Sequence, residues 1–306
     1  MEINKGPGER AVDHGRRQAL LAVTHIWRTR SIMSSYSSIC SPALIPTCYL
    51  STVELLVAEH LDNPEDGFGL QQAVLEEVAS GDRGPTALVW TASPYFGVTR
   101  PETRLPGFEK AVAAARALGF PVLGRNSGGG AVAANEGSLS FSLTFPVEDL
   151  RHGLYERYTE GVELVAAALL RIGVDAEGGE VEGEFCPGAY SVRSGGPSGV
   201  KRAGLAQRVT RRAARLEALI LVQKTAELVG VLERFYGALG LPFRRESIGD
   251  LPVDVPRVIE ALVAEISERY GGEEEEAVGR DLLAKARSQR GKWRVAPTPA
   301  RPRSHG

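Results

Sequence analysis

The sequence predicts one mixed α/β domain over about residues 60–290, and three observations carry that expectation. Stretches with a helical period of 3.6 alternate along the chain with stretches that read as strands. The segment SLSFSLTFP sets Leu139, Phe141, Leu143 and Phe145 against Ser138, Ser140, Ser142 and Thr144, which is a strict period of two. Gly-rich breaks then punctuate the elements, above all RNSGGGAVA (125–133) and GGPSG (195–199). With 306 residues, 43% of them hydrophobic, the chain has ample material for a core of that size.

The elements follow in order. LQQAVLEEVAS places Leu70, Val74, Leu75 and Val78 on one helical face, and Gly81 stops it. TALVW (86–90) reads as a strand. GFEKAVAAARALGF reads as a helix with Phe108, Ala111, Val112, Ala115 and Leu118 inward, ended by Gly119. PVLG (121–124) is a short strand that leads into the glycine-rich loop. After SLSFSLTFP the pattern predicts a long helix from about Glu148 to Ile172, with Leu150, Leu154, Tyr158, Val162, Val165 and Leu169 inward. GAYSVRS and VKRAGLAQ form a hairpin about GGPSG, and ARLEALILVQ continues the sheet. TAELVGVLERFYGALG and VPRVIEALVAEISERYG are helical. EEEEAVGRDLLAKARSQRGKW reads as a charged helix, acidic at its start and basic at its end as the helix dipole prefers.

The ends lack such a period. Residues 1–55 are rich in Ser, Pro and Cys from Ser31 onward and are expected to be a disordered extension, or to follow a start codon placed too early. Residues 291–306 are expected to be a disordered tail. The twin arginines Arg16-Arg17 precede an apolar stretch broken by His25, Trp27, Arg28 and Arg30, without a small-residue cleavage site, so a cytoplasmic protein is expected. The net charge of -2 gives no reason to expect nucleic acid or an anionic membrane as partner. No apolar run reaches the length of a membrane span. Three scattered cysteines do not suggest a disulfide framework.

Three segments hold residues suited to chemistry. In RNSGGGAVA, three consecutive glycines let a backbone approach a ligand and expose N–H donors, and Arg125, Asn126 and Ser127 flank them. The spacing is neither GxxxxGK[ST] nor GxGxxG, so neither nucleotide-binding mechanism is implied. Lys201 is one of only six lysines among 36 basic residues, in a chain that elsewhere uses arginine. It reads either as a solvated cation at a hairpin end or as a compact ammonium with a specific task. Cys186, in EGEFCPGAYS, reads alone either as an apolar filler under a Pro-Gly turn or as a thiol kept for its reactivity. The five histidines lie outside these segments and form no metal-ligand spacing with cysteine, so no metal site is expected.

Taken together and in this order, RNSGGGAVA, GSLSFSLTFP, EGEFCPGAYS and GVKRAGLAQR resemble the lipoate-protein ligase/biotin ligase catalytic family. The likeness runs from about residue 65 to 265 and is greatest to the octanoyltransferase branch. That resemblance implies a largely antiparallel central sheet flanked by helices, related to class II aminoacyl-tRNA synthetases, with an apolar tunnel for an acyl chain. It implies that Cys186, in FCPG, carries the acyl group. By the same resemblance Lys201 contacts the acyl carbonyl, and Arg125, Asn126, Ser127, Gly128, Gly129, Gly130 and Gly204 line the acyl site.

The implied reaction is ping-pong transfer of octanoyl or lipoyl through a cysteine thioester to a lysine of a lipoyl-domain protein. Lys201 polarises the carbonyl and loop amides around Gly128–Gly130 stabilise the oxyanion. The implied partners are the glycine-cleavage carrier protein, 2-oxoacid dehydrogenase E2 subunits and acyl carrier protein, with no cofactor. An ATP-dependent lipoate ligase and a non-catalytic acyl- or carrier-binding protein share the fold. Two departures bear on the choice. Asn135 stands where the family often has an acidic residue, with Glu136 next to it. Gly124-Arg125 replaces the paired arginines of the ligases, which counts against ATP-dependent activation.

Overall fold

A computed structural model describes residues 52–149, 153–271 and 276–295. The reading of residues 1–51, with Cys40 and Cys48, and that of 296–306 lie outside the described residues. The main sheet has eight strands in the order β11-β1-β2-β6-β10-β9-β8-β7. These are β1 (Glu54–Val57), β2 (Thr86–Trp90), β6 (Ser138–Pro146), β7 (Glu177–Gly178), β8 (Ser191–Ser194), β9 (Val200–Val209), β10 (Ala213–Leu221) and β11 (Glu276–Ala277). Pairing is parallel from β11 through β1 to β2 and antiparallel from β2 to β7. A second sheet holds β3 (Tyr95–Val98) between β4 (Val122–Gly124) and β5 (Val132–Ala134). The expected mixed sheet, largely antiparallel and flanked by helices, is observed.

The alternation in β6 sorts the two faces of the large sheet. Leu139, Phe141, Leu143 and Phe145 pack with Leu164, Val165, Ala168 and Leu169 of α3 (Leu154–Arg171) and with Val258, Leu262 and Ile266 of α5 (Val255–Tyr270). The opposite face carries Ser138, Ser140, Ser142 and Thr144, all buried. On that side α1 (Pro64–Ser80) packs Leu70, Val74, Leu75 and Val78 against Leu56, Leu88 and Trp90. Asn63 caps α1 by accepting from the Glu65 N–H, and Gly81 ends it in the left-handed region. A second core joins the three-stranded sheet to α2 (Phe108–Ala117) and α4 (Thr225–Leu239), where Phe96 stacks on Phe235 at 4.0 Å between ring centroids.

Several expectations need correction. The helix read from Glu148 begins only at Leu154, because Val147 still bonds the Arg212 carbonyl and so extends the β6–β10 pairing. Val165 and Leu169 are buried as read, Leu150 lies outside the described residues, and the rest of the buried face is shifted from Leu154 and Tyr158 towards Gly161, Leu164 and Ala168. Gly161, Leu164, Val165, Ala168 and Leu169 face the sheet, and a Cβ at Gly161 would lie 2.2 Å from Leu216 Cδ2. Tyr158 stacks instead on Tyr190, ring centroids 3.9 Å apart. Leu118 follows the last turn of α2 and is 37% exposed rather than inward.

Of the charged segment read as a helix from Glu273, residues 273–275 lie outside the described residues. Glu276–Ala277 pair with Leu56–Val57 as an edge strand, and the helix, α6, is confined to Arg280–Ser288, where Leu282 and Ala286 supply the apolar face. Ordered structure also passes the limits 60–290. β1 precedes them, and a 3₁₀ turn at Arg290–Trp293 follows, with Trp293 7% exposed against Phe68. Trp293 is held because its ring completes the core over α1, a role that the charged sequence around it does not suggest.

Candidate active site

Cys186 lies in the turn ahead of β8 and is partly buried. Its backbone sits in the left-handed region, φ 45, although it has a Cβ and precedes a proline. That conformation costs an L-residue about 1–2 kcal/mol, so neighbouring contacts must hold it. Three do. The Cys186 N–H donates to the Tyr236 hydroxyl at 2.7 Å, and the Cys186 carbonyl accepts from Lys201 Nζ at 3.2 Å. The Gly130 N–H donates to the sulfur at 3.0 Å. The thiol thus meets the glycine-rich loop, while Cys186 also packs against the edge of the second core.

Tyr236 joins both halves of this arrangement, since its hydroxyl also donates to the Ala131 carbonyl at 2.8 Å. Burial holds the Tyr236 phenol well above its ordinary pKa, so it acts as a neutral clamp. Replacing Tyr236 with Phe leaves the Cys186 N–H and the Ala131 carbonyl without that partner. The expected cost is about 1–3 kcal/mol in denaturant unfolding, with slower alkylation of Cys186.

Lys201 is 1% exposed, on β9, and is no solvated hairpin cation. An ammonium has three N–H donors. Here Nζ donates to Glu184 Oε1 at 3.1 Å, the Phe185 carbonyl at 3.0 Å and the Cys186 carbonyl at 3.2 Å, over the Phe185 ring. Glu184 is equally buried and accepts from Ser191 Oγ at 2.6 Å and the Val181 N–H at 3.1 Å. The buried pair therefore holds the turn that carries Cys186. Gly204 sits alongside, where a Cβ would meet Lys201 Cε at 3.0 Å.

The loop after β4 is latched to the sheet by its polar residues. The Arg125 guanidinium donates to the Gly128 carbonyl, and the Ser127 hydroxyl donates to Glu217. Asn126 donates to Gln72 Oε1 at 2.9 Å and accepts from Arg215 Nη2 at 2.9 Å. Arg215 pairs with Glu217 at 2.9 Å; burial pulls its guanidinium below the ordinary value while Glu217 opposes that shift. Gly129 adopts φ 87, and a Cβ there would lie 2.9 Å from Cys186 Sγ and 3.0 Å from Arg125 Nη2. Gly129→Ala is therefore expected to push the sulfur aside. A displacement of that kind costs on the order of 10²-fold in turnover, measured as acyl transfer per folded protein.

These residues border a cleft enclosing about 590 Å³, part of it open to solvent. Strand register builds its floor: Trp90, Ser140, Leu219 and Gly204 lie in one row across the sheet. Glu217 and Ala206 belong to the next row. Small side chains at 140, 204 and 206 leave room above the strands, while Phe68, Tyr95, Val132 and Phe185 supply apolar wall. Burial pushes the Tyr95 phenol up to about 12, so it stays neutral. Of the residues singled out in the sequence, Arg125, Cys186, Lys201 and Gly204 line this cleft. Gly129 and Gly130 flank the sulfur, and Asn126 and Ser127 secure the loop from behind.

A cleft that is mostly apolar with a few converging polar groups suits a small ligand with a hydrocarbon portion. The catalytic-domain model of lipoyl protein ligases A and B matches residues 63–267. The chain belongs to the lipoyl protein ligase A/B catalytic domain family.

Within the family, the chain is 29% identical over 214 residues to an octanoyl-[GcvH]:protein N-octanoyltransferase of Geobacillus kaustophilus, covering 70% of this chain and 72% of that protein. It is 32% identical over 175 residues to the protein of the same name from Anoxybacillus flavithermus, covering 56% and 61%. A lipoyl-[GcvH]:protein N-lipoyltransferase of Listeria monocytogenes is 26% identical over 141 residues, covering 46% and 50%.

The fold matches a putative lipoate protein ligase from T. acidophilum solved with lipoic acid, with TM-score 0.62, 19% identity, and 78% and 95% of the two chains covered. It matches equally a lipoate-protein ligase A bound with ATP, with TM-score 0.62, 20% identity, and 79% and 94% covered. Among the described residues no helix is long and apolar enough to cross a membrane.

Sequence reading did not single out Glu184, Tyr236, Arg215 or Glu217. Glu184 lies two residues before Cys186 and is the one with a legible signal, as a charge beside an apolar pair. The other three reach the site only through strand pairing and helix packing.

Proposed function

We propose that the protein is an octanoyltransferase that carries its acyl group on Cys186. The observation that carries this reading is the Gly130 N–H aimed at the Cys186 sulfur at 3.0 Å, at the edge of the apolar cleft. The names of the related transferases support it. The Cys186 thiolate attacks the acyl carbonyl of octanoyl-GcvH, and the lysine nitrogen leaves. A lysine of a lipoyl-domain protein, such as an E2 subunit, then attacks the thioester and releases Cys186. An acyl-carrier-protein thioester serves the first step equally well.

The Gly130 N–H stands beside the sulfur, where it can turn to the oxyanion as it forms. Lys201 orients the Cys186 turn through its carbonyl and stands at the acyl end of the cleft. The octanoyl chain lies over Gly204 and Ala206. The reaction needs no ATP, because overall one lysine amide is exchanged for another of nearly equal free energy.

The test is an ATP-free transfer assay with octanoylated GcvH and an unmodified lipoyl domain. Octanoyl appearing on the lipoyl domain supports the reading. Modification only with ATP and free lipoate or octanoate makes the protein a ligase, and no modification under either condition leaves an acyl- or carrier-binding protein.

A further inference from the structure

Transfer from one lysine to another makes the two half-reactions mirror images, which rests on the function proposed above. The leaving amine must gain a proton in the first and the attacking amine must lose one in the second. One group that both gives and takes a proton beside the sulfur serves both. Five described groups near Cys186 are committed elsewhere. The three donors of Lys201 are engaged, and both oxygens of Glu184 accept hydrogen bonds. Tyr236 is a neutral phenol bonded on both sides. Glu217 takes Ser127 and Arg215, and Arg125 does not lose its proton in a protein. The one described histidine, His60, is exposed and bonds Thr91.

Glu102 differs. It is buried, 7% exposed, in the 3₁₀ turn after β3. Its Oε2 accepts both the N–H of Thr99, at 2.8 Å, and the Thr99 hydroxyl. Oε1 has no hydrogen-bond partner among the described residues. A Cβ at Gly130 would lie 3.3 Å from that Oε1, 3.6 Å from Cys186 Cα and 3.9 Å from Cys186 Cβ. The free carboxylate oxygen and the Cys186 backbone thus face the same side of Gly130. No cation pairs with the Glu102 carboxylate among the described residues, and the glycine leaves the space between them open.

We propose that Glu102 is the proton carrier of the acyl transfer. In the first half-reaction the Cys186 thiolate adds to the octanoyl-lysine carbonyl. The C–N bond then breaks as Glu102, protonated, gives its proton to the departing nitrogen, leaving a thioester, a free amine and a carboxylate. In the second half a neutral lysine amine adds to the thioester and passes a proton to Glu102. The C–S bond breaks and the thiolate is restored. Thr99 fixes the carboxyl through Oε2, so that Oε1 does this work.

Leaving-group dependence tests it, with the full-length protein. p-Nitrophenyl octanoate acylates Cys186 and expels a phenolate that needs no proton, whereas transfer from the acyl-enzyme to the lysine of unmodified GcvH needs the carrier. Glu102→Gln, which still accepts from Thr99, is expected to slow the amide-forming step about 100-fold and the phenolate burst far less. Equal losses in both steps make Glu102 a structural residue and overturn the proposal. Transfer to GcvH at the wild-type rate also overturns it. A burst that survives in Cys186→Ala sinks the cysteine reading itself, and the role of Glu102 with it.

Discussion

Cys186→Ala is expected to abolish acyl transfer, by at least about 10³-fold in turnover, while the protein stays folded. The contacts of Cys186 separate these two effects. Its N–H and carbonyl, not its side chain, tie the turn to Tyr236 and Lys201, and alanine keeps both. What disappears is the sulfur beneath the Gly130 N–H. Only a small apolar contact goes with it, so stability should change by about 1 kcal/mol or less. Initial rates with octanoylated GcvH, alongside a thermal melt, check both parts. A turnover loss matched by unfolding would assign Cys186 to packing instead.

Lys201→Met is expected to produce the largest loss of stability, about 3–5 kcal/mol, because it strands the Glu184 carboxylate in the interior. Both side chains are essentially inaccessible, 1% for Lys201 and 0% for Glu184. In a domain of this size that corresponds to a fall in Tm of ~10 °C. Adding Glu184→Gln removes the stranded charge, and the amide still reaches Ser191 and Val181. The double variant should therefore recover most of the lost stability while activity stays low, since the Cys186 carbonyl has lost its donor. Melting curves of the two singles and the double, arranged as a cycle, measure the coupling. If the double melts no higher than Lys201→Met, the pair is not the energetic unit that the geometry describes.

How much of this was legible in the chain depends on how local each signal is. The strand β6 and its two faces could be read directly, because an alternation of Leu/Phe with Ser/Thr needs no partner to be recognised. The motifs RNSGGG, FCPG and VKRAG marked the right loop, turn and strand, since glycine, proline and a rare lysine are locally constrained choices.

The buried face of α3 could not be read from apolar period alone. Gly161 lets the helix approach Leu216, and that approach overrides the larger Leu154 and Tyr158. Similarly, Glu276–Ala277 read as helix until the edge of β1 offered backbone pairing. Arg215 and Glu217, within ARLEALILVQ, carry no local mark of a site. Only the latch to Asn126 and Ser127, some ninety residues earlier in the chain, shows why charges sit on that face.

Rapid acid quench of the wild-type protein with octanoylated GcvH, without ATP, followed by peptide mapping by mass, tests the cysteine intermediate most directly. The expected result is an octanoyl group on the peptide containing Cys186, labile to hydroxylamine and cleared when a lipoyl-domain acceptor is added. Octanoyl transferred to the acceptor with no adduct on Cys186 at any time, or an adduct on another residue, contradicts it.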